Sequence, residues 1–355
     1  MKTMNFFEQQ ITEKERNEGL VLFRVWEVHK EHYKLAPLAD VSGENKGNAV
    51  LKGSVFYQNA GVKEYPAIGD VVAAKENPCG DSIIYRVLER KSQFVRLSAG
   101  SIGAHSDNTA RQVVAANFDT VFLMESLNQD FNVRKMERYL LPAWESGGTP
   151  VIVLTKADLC DDVEEKIRAM EEIAPGVEIH AVSAKDGTGM ETLRKYLTPG
   201  KVVAVCGSSG IGKSTLINAL AGAEIMATSA IREDDDKGRH TTTHRQVIAL
   251  TGGAMIIDTP GMRELGIWAT GEGMETSFED VYELVARCRF SDCKHETEPG
   301  CAIRAALESG ELTAERFASF VKLEREANRS AKREFIRQQK AAYKKACRKE
   351  HLGKR

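Results

Sequence analysis

The strongest chemical pattern in the chain is Gly207-Ser208-Ser209-Gly210-Ile211-Gly212-Lys213-Ser214-Thr215. It follows the apolar run Val202 to Cys206 and precedes helical sequence, the context that a phosphate-binding P-loop requires. Its glycines let successive backbone N–H groups turn inward around phosphate oxygens, and the next helix presents its positive end to the same charge. In this reading Lys213 reaches the β- and γ-phosphates and serves catalysis, and the Ser214 hydroxyl binds Mg²⁺. Downstream, Met255-Ile256-Ile257 runs into Asp258-Thr259-Pro260-Gly261, which places a carboxylate where it can hold Mg²⁺ through water and the Gly261 N–H where it senses the γ-phosphate. The charged loop Ile231 to Thr243 lies between and ends Gly238-Arg239-His240-Thr241-Thr242-Thr243. One of Thr241, Thr242 and Thr243 is the expected further Mg²⁺ ligand, and the sequence does not select among them.

A P-loop accepts any nucleoside triphosphate, so the base must be read elsewhere. Val151 to Leu154 leads into Thr155-Lys156-Ala157-Asp158. An Asp at this position accepts from N1–H and the 2-amino group of guanine, a donor pair that adenine lacks, and the Lys stem covers the ring face. The usual first residue is Asn; Thr155 removes an amide contact and leaves Asp158 to discriminate. Twenty-eight residues on, Ser183-Ala184-Lys185 offers backbone N–H groups toward the guanine O6. Both base motifs precede the P-loop, whereas an ordinary GTPase runs in the opposite order. The domain is therefore expected to be circularly permuted, with Leu197-Thr198-Pro199-Gly200 joining the old ends.

A second cluster is Cys-x4-Cys-x-His-x5-Cys, formed by Cys288, Cys293, His295 and Cys301. Three thiolates and an imidazole complete a tetrahedral set for one structural Zn²⁺, with no position open to water; the plainer alternative is a group of buried thiols.

These residues need elements to hold them. Short apolar runs at Val21–Val28, Ala49–Phe56, Val71–Ala74 and Ile83–Leu88 predict a small β-barrel, with a five-stranded oligonucleotide-binding barrel among the folds that fit. Gly100 to Arg111 reads as a linker. Beyond it, apolar runs at Thr120–Met124, Val151–Leu154, Val177–Val182, Val202–Cys206, Val247–Leu250 and Met255–Ile257 alternate with helical patterns such as Val133–Ala143 and Leu216–Leu220, the mark of a mostly parallel doubly wound sheet. Beyond Glu283 the sequence is helical around the Cys/His cluster.

Of the 355 residues, 42% are hydrophobic and 28% charged, which excludes a disordered chain, and the formal charge is −2. The last 35 residues carry 13 Lys+Arg against 4 Asp+Glu, a local +9 that leaves −11 on the rest. Lys332-Arg333, Lys344-Lys345 and Arg348-Lys349, with Phe335 and Tyr343 between, suit a phosphate backbone or a solvated helix face. The sequence contains no run long enough for a membrane helix and no apolar export signal at its start, so a cytoplasmic protein with reduced thiols is expected.

Taken in order, TKAD, SAK, GSSGIGKST, GRHTTT and DTPG, with a small β-domain before and a Cys/His cluster after, resemble the circularly permuted GTPases of the small ribosomal subunit biogenesis family RsgA. The resemblance spans nearly the whole chain. It implies an OB-like barrel over 1–105, a permuted α/β GTPase domain over 106–278 and a helical zinc-binding domain with a basic tail over 279–355. It further implies a monomer that binds the small (30S) subunit and its rRNA, with Zn²⁺ and Mg²⁺ as metals and GTP hydrolysis timing its release. Met262 follows Gly261 where many GTPases place a water-orienting Gln, so His240 is the candidate catalytic group and turnover should be slow without the subunit. The rival readings are an RNA-binding assembly module whose nucleotide is mainly a conformational ligand, and a P-loop ATPase or kinase, which Asp158 disfavours.

Overall fold

The structure, a computed structural model, describes residues 6–29, 32–53, 65–97, 111–128, 131–226, 246–259 and 271–329, together with 332, 336 and 339. The chain divides into two compact units, residues 1–139 with 146–266, and residues 140–145 with 267–355.

In the first unit, strands β1 (Leu20–His29), β2 (His32–Pro37), β3 (Gly47–Leu51), β4 (Val71–Lys75) and β5 (Ser82–Val87) close into a barrel in the order β1-β2-β3-β5-β4. The β3–β5 pairing is parallel and the other pairings are antiparallel. Side chains alternate along each strand, so Phe23, Val25, Tyr33, Leu35, Val72, Ala74 and Ile84 fill one core. The opposite face, with Leu20, Leu22, Val71 and Ala73, is covered by Phe7 and Ile11. Helix α1 (Glu13–Asn17) begins at a capping box between Thr12 and Glu15.

The barrel bears out the expected five-stranded type, with differences in its elements. Strand β2 was not anticipated, because its run His-Tyr-Lys-Leu-Ala-Pro alternates weakly and is fixed by pairing with β1. Strand β3 begins at Gly47, and residues 54–56 of the expected Ala49–Phe56 run lie outside the described residues.

Strands β6 (Gln93–Leu97) and β7 (Arg111–Ala116) form an antiparallel ribbon. Arg111, assigned to the linker by sequence, thus opens a strand, because Leu97 pairs with it across a segment that local pattern cannot span; residues 98–110 lie outside the described set.

The larger sheet contains β8 (Thr120–Ser126), β9 (Thr149–Thr155), β10 (Glu178–Ala181), β11 (Val202–Cys206), β12 (Val247–Ala249) and β13 (Met255–Asp258), in the order β10-β9-β8-β11-β13-β12. Only β12 among these runs antiparallel to its neighbour. Strands β8, β9 and β11 are buried along nearly their whole lengths, as a sheet covered on both faces demands. Helices α2 (Val133–Glu145), α3 (Val163–Glu171) and α4 (Lys213–Ala221) connect these strands. The expected βα alternation holds from β8 to β10 and after β11, whereas a 3₁₀ segment at Met190–Tyr196 joins β10 to β11 and a turn joins β12 to β13.

The second unit contains α5 (Gly271–Ser277), α6 (Glu279–Ala286), α7 (Ala302–Ser309) and a helix over 314–329. Phe278, Val281, Leu284, Ile303, Phe320 and Leu323 form its core. The Arg316 guanidinium locks two of these helices by donating to both Asp280 carboxylate oxygens and to the Ser277 carbonyl. No described helix is long and apolar enough to cross a membrane.

Candidate nucleotide site and metal cluster

Residues 207–212 leave the carboxyl end of β11 and enter α4 at Lys213. The loop needs left-handed backbone at Gly210 (φ +81°) and Gly212 (φ +95°), a conformation glycine adopts without the penalty a side chain carries. The Lys213 ammonium bends back onto the loop, donating to the Gly207 and Ser208 carbonyls at 2.9 and 3.0 Å. Burial depresses its pKa, and the Asp258 carboxylate opposes that shift.

Asp258 stands at the end of β13, paired in register with Val205 of β11. It is 5% exposed, burial raises its pKa against the opposing charge of Lys213, and its Oδ1 is a buried atom with no hydrogen-bond partner. A buried carboxylate oxygen left without a donor beside a P-loop fits a Mg²⁺ site. The next residue, Thr259, donates its hydroxyl to the Val205 carbonyl at 2.7 Å and lies 3.1 Å from Cys206 Sγ, which ties the start of this loop to β11. Burial pushes the Cys206 thiol up to about 12, so it serves as packing and not as a nucleophile.

The two base motifs end neighbouring strands. Thr155 closes β9, and Lys156 follows in left-handed backbone at φ +61°. The Ala157 N–H donates to the Val182 carbonyl, so the TKAD turn rests on the strand end that leads into Ser183-Ala184-Lys185. Lys185 Nζ lies 4.0 Å from Asp158 Oδ2. Thr155 Oγ1 lies 2.5 Å from the Ile211 carbonyl and 3.2 Å from the Glu125 carbonyl, and Lys156 Nζ donates to the Gly210 carbonyl at 2.9 Å. The threonine that stands in place of Asn therefore ties the TKAD turn to the P-loop through its hydroxyl.

Thus the fold brings together Thr155, Lys156, Ala157, Asp158, Ser183, Ala184, Lys185, the 207–215 loop and Asp258. His240, Thr241, Thr242, Thr243, Gly261 and Met262 lie outside the described residues. Sequence reasoning missed Glu125 and Lys135, which reach the loop from β8 and α2. Their local signals are a lysine in the first turn of a helix, where the dipole disfavours it, and a glutamate at the end of an apolar strand.

In the second unit, one ligand atom from each of Cys288, Cys293, His295 and Cys301 lies within 4.8 Å of the others. His295 adopts φ +63°, which turns its Nδ1 to 3.6 Å from Cys288 Sγ and 3.5 Å from Cys301 Sγ. Burial acts most strongly on Cys288 and raises its pKa, yet the backbone N–H groups of Ala302 and Ile303 together with the neighbouring Cys301 and Cys293 leave the thiol lowered. Burial pushes Cys293 up to about 11. The donor set can hold one metal ion.

Comparison with known proteins agrees with this geometry. The family model described as RsgA GTPase matches residues 87–268. A relative from Lactiplantibacillus plantarum, named small ribosomal subunit biogenesis GTPase RsgA 2, is 45% identical over 88% of this chain and 84% of its own. A Vibrio parahaemolyticus relative of the same name is 42% identical over 90% of this chain and 83% of its own. Among solved structures, YjeQ from Thermotoga maritima aligns with TM-score 0.61 at 28% identity, covering 87% of this chain and 98% of that one. YloQ, described as a circularly permuted GTPase, aligns at TM-score 0.57 and 21% identity and shares the fold. A P-loop flanked by base motifs from earlier strands, carried beside a five-stranded barrel and matched over half the chain by this model, means that the chain belongs to the RsgA GTPase family.

Proposed function

We propose that this GTPase acts in maturation of the small ribosomal subunit, binding the 30S particle through its rRNA and using GTP hydrolysis to time its release. The observation that carries the reading is the contact of the TKAD turn with the P-loop and of the SAK turn with TKAD, in a chain whose relatives are named for small-subunit biogenesis. The oligonucleotide-binding type of barrel and the +9 C-terminal segment support an RNA partner. Under this reading Asp158 reads guanine, with Lys156 against its face and the Ser183-Ala184-Lys185 amides toward O6. Residues 207–215 hold the phosphates, and Lys213 neutralises charge developing on them. Ser214, Asp258 and one of Thr241, Thr242 and Thr243 hold Mg²⁺. Gly261 senses the γ-phosphate. The Cys/His set takes Zn²⁺, the metal that three thiolates and an imidazole favour. The functional parts are 1–105, 106–278 and 279–355, and the protein works as a cytoplasmic monomer.

Met262 has no group to orient water, so hydrolysis is slow until the subunit orders the switch loop and brings His240 or an RNA group to the nucleophile. The test is single-turnover GTP hydrolysis with and without purified small subunits. Strong stimulation in wild type, reduced in His240→Ala at unchanged nucleotide affinity, is expected. Absence of stimulation in wild type overturns the timing role, and full stimulation of the variant removes the histidine from it.

A further inference from the structure

Lys135 occupies the first turn of α2, at the positive end of the helix dipole, where a cation is disfavoured. The side chain of Asn132 accepts its backbone N–H at 3.1 Å and fixes the turn. Its ammonium lies 2.7 Å from Glu125 Oε2 and 3.0 Å from Oε1, and donates to Ser208 Oγ at 2.9 Å. Glu125, near the carboxyl end of β8, is 0% exposed. An ionised carboxylate at that depth is costly unless a cation and hydrogen bonds compensate it. Neither residue improves its own element: the lysine opposes its helix dipole, and the glutamate interrupts an otherwise apolar strand. What the pair accomplishes is to meet the second residue of the P-loop, 73 positions beyond Lys135. Lys135 also acts on the charge of Lys213, so the two ammonium groups share one electrostatic environment.

We propose that Lys135, anchored by Glu125, is a positioning residue of the phosphate site, fixing Ser208 and through it the direction of the P-loop amides. The inference rests on the reading of residues 207–215 as the nucleotide site and adds a residue from outside the P-loop and base motifs. A P-loop binds through the aim of its backbone N–H groups, so a small turn of the loop weakens every phosphate contact at once. Thr155 and Lys156 hold the later part of the loop, at Ile211 and Gly210; Lys135 holds its beginning.

The experiment measures fluorescent GDP dissociation, GTP turnover and thermal unfolding on the full chain. Lys135→Gln alone strands Glu125, so the informative variant is Lys135→Gln combined with Glu125→Gln, which leaves a neutral pair of similar shape. GDP is expected to leave about ten-fold faster from it, and KM for GTP to rise similarly with kcat within about two-fold, the pattern of an interaction shared by ground and transition states. Ser208→Ala should reproduce the loss, and adding it to the neutral pair should make it no worse. Unchanged GDP dissociation in the folded neutral-pair variant, or losses that multiply when Ser208→Ala is added, overturns the proposal. Lys213→Ala separates the two levels: if it leaves GDP affinity intact, the P-loop reading itself fails, whereas a loss there with none in the neutral pair removes Lys135 alone.

Discussion

Under the proposed function a single carboxylate, that of Asp158, reads the base. Asp158 sits on the turn that rests against the Val182 carbonyl, with Lys185 4.0 Å from its Oδ2, so its position is set by two strand ends at once. Asp158→Asn replaces an acceptor of two hydrogen bonds by an amide that offers a donor. GDP affinity is expected to fall by roughly 100-fold or more, the cost of two charge-assisted hydrogen bonds, while xanthosine diphosphate gains affinity. Titration of both diphosphates against wild type and variant checks this, and an unchanged GDP preference would remove Asp158 from base recognition. Thr155 shows how far one residue was legible. The sequence identified the departure from Asn and the amide contact it removes; that its hydroxyl reaches Ile211, 56 positions away, was decided by the packing of β9 against the P-loop.

At the scale of elements, α1 is held to the barrel by charge. Glu15 both caps its helix and accepts from the Arg86 guanidinium of β5, at 2.6 Å to Nε and 3.1 Å to Nη2. The Arg86 hydrogen bond holds the Glu15 carboxyl at about 2, below its ordinary 4.5. A carboxyl with a depressed folded-state pKa contributes stability that is complete above pH 4.5 and is lost as pH falls toward 2. Glu15→Gln should therefore cost about 1 kcal/mol at neutral pH and flatten the acid limb of stability in that window, as denaturant unfolding at several pH values would report. The Cys/His turn depends on a different element. Its four Cys/His residues span the approach to α7, and Cys301 precedes that helix directly. With zinc bound, elemental analysis of untagged protein should give one ion per chain. Strong chelation should unfold the second unit, lowering its helical signal, because metal binding and folding are one equilibrium in a domain this small. A metal-free chain with the second unit intact would defeat the assignment.

Across the first unit, the barrel joins the end of the β6–β7 ribbon, in part through backbone. Ile68 bridges to Ala115, the Ala116 N–H donates to the Ile68 carbonyl at 2.8 Å, and Asn117 Nδ2 donates to the Gly69 carbonyl at 3.2 Å. A side chain at Gly69 would collide with the Ala116 carbonyl and lie 2.8 Å from Ile257 Cδ1, the residue before Asp258. On another side, Glu27 of β1 bridges to Gln246, just ahead of β12. The barrel therefore lies against both β13 and the approach to β12. Gly69→Ala tests this seam against Gly19→Ala, since both positions have φ +82° but nothing lies within 4 Å of a Cβ at Gly19. Each should lose about 1 kcal/mol to backbone strain, and Gly69→Ala roughly 1–3 kcal/mol more from overpacking, with faster GDP release than Gly19→Ala. Equal losses in unfolding experiments would mean that the seam is loose.

The sequence by itself determined the glycine-rich 207–215 loop, the TKAD and SAK turns, the permuted order, the four-residue Cys/His cluster and most of the alternation of strands and helices. Those features are local: glycine placement, a few adjacent side chains and apolar periodicity specify them without reference to the rest of the chain. Only the tertiary structure decided that β2 completes the barrel, that β6 and β7 pair across the expected linker, and that Lys135, held by Glu125, meets Ser208. In each case the deciding contact joins residues whose own segments express no preference for it. Its register and partner are selected when distant apolar faces are buried together, a collective choice that no local window of sequence contains.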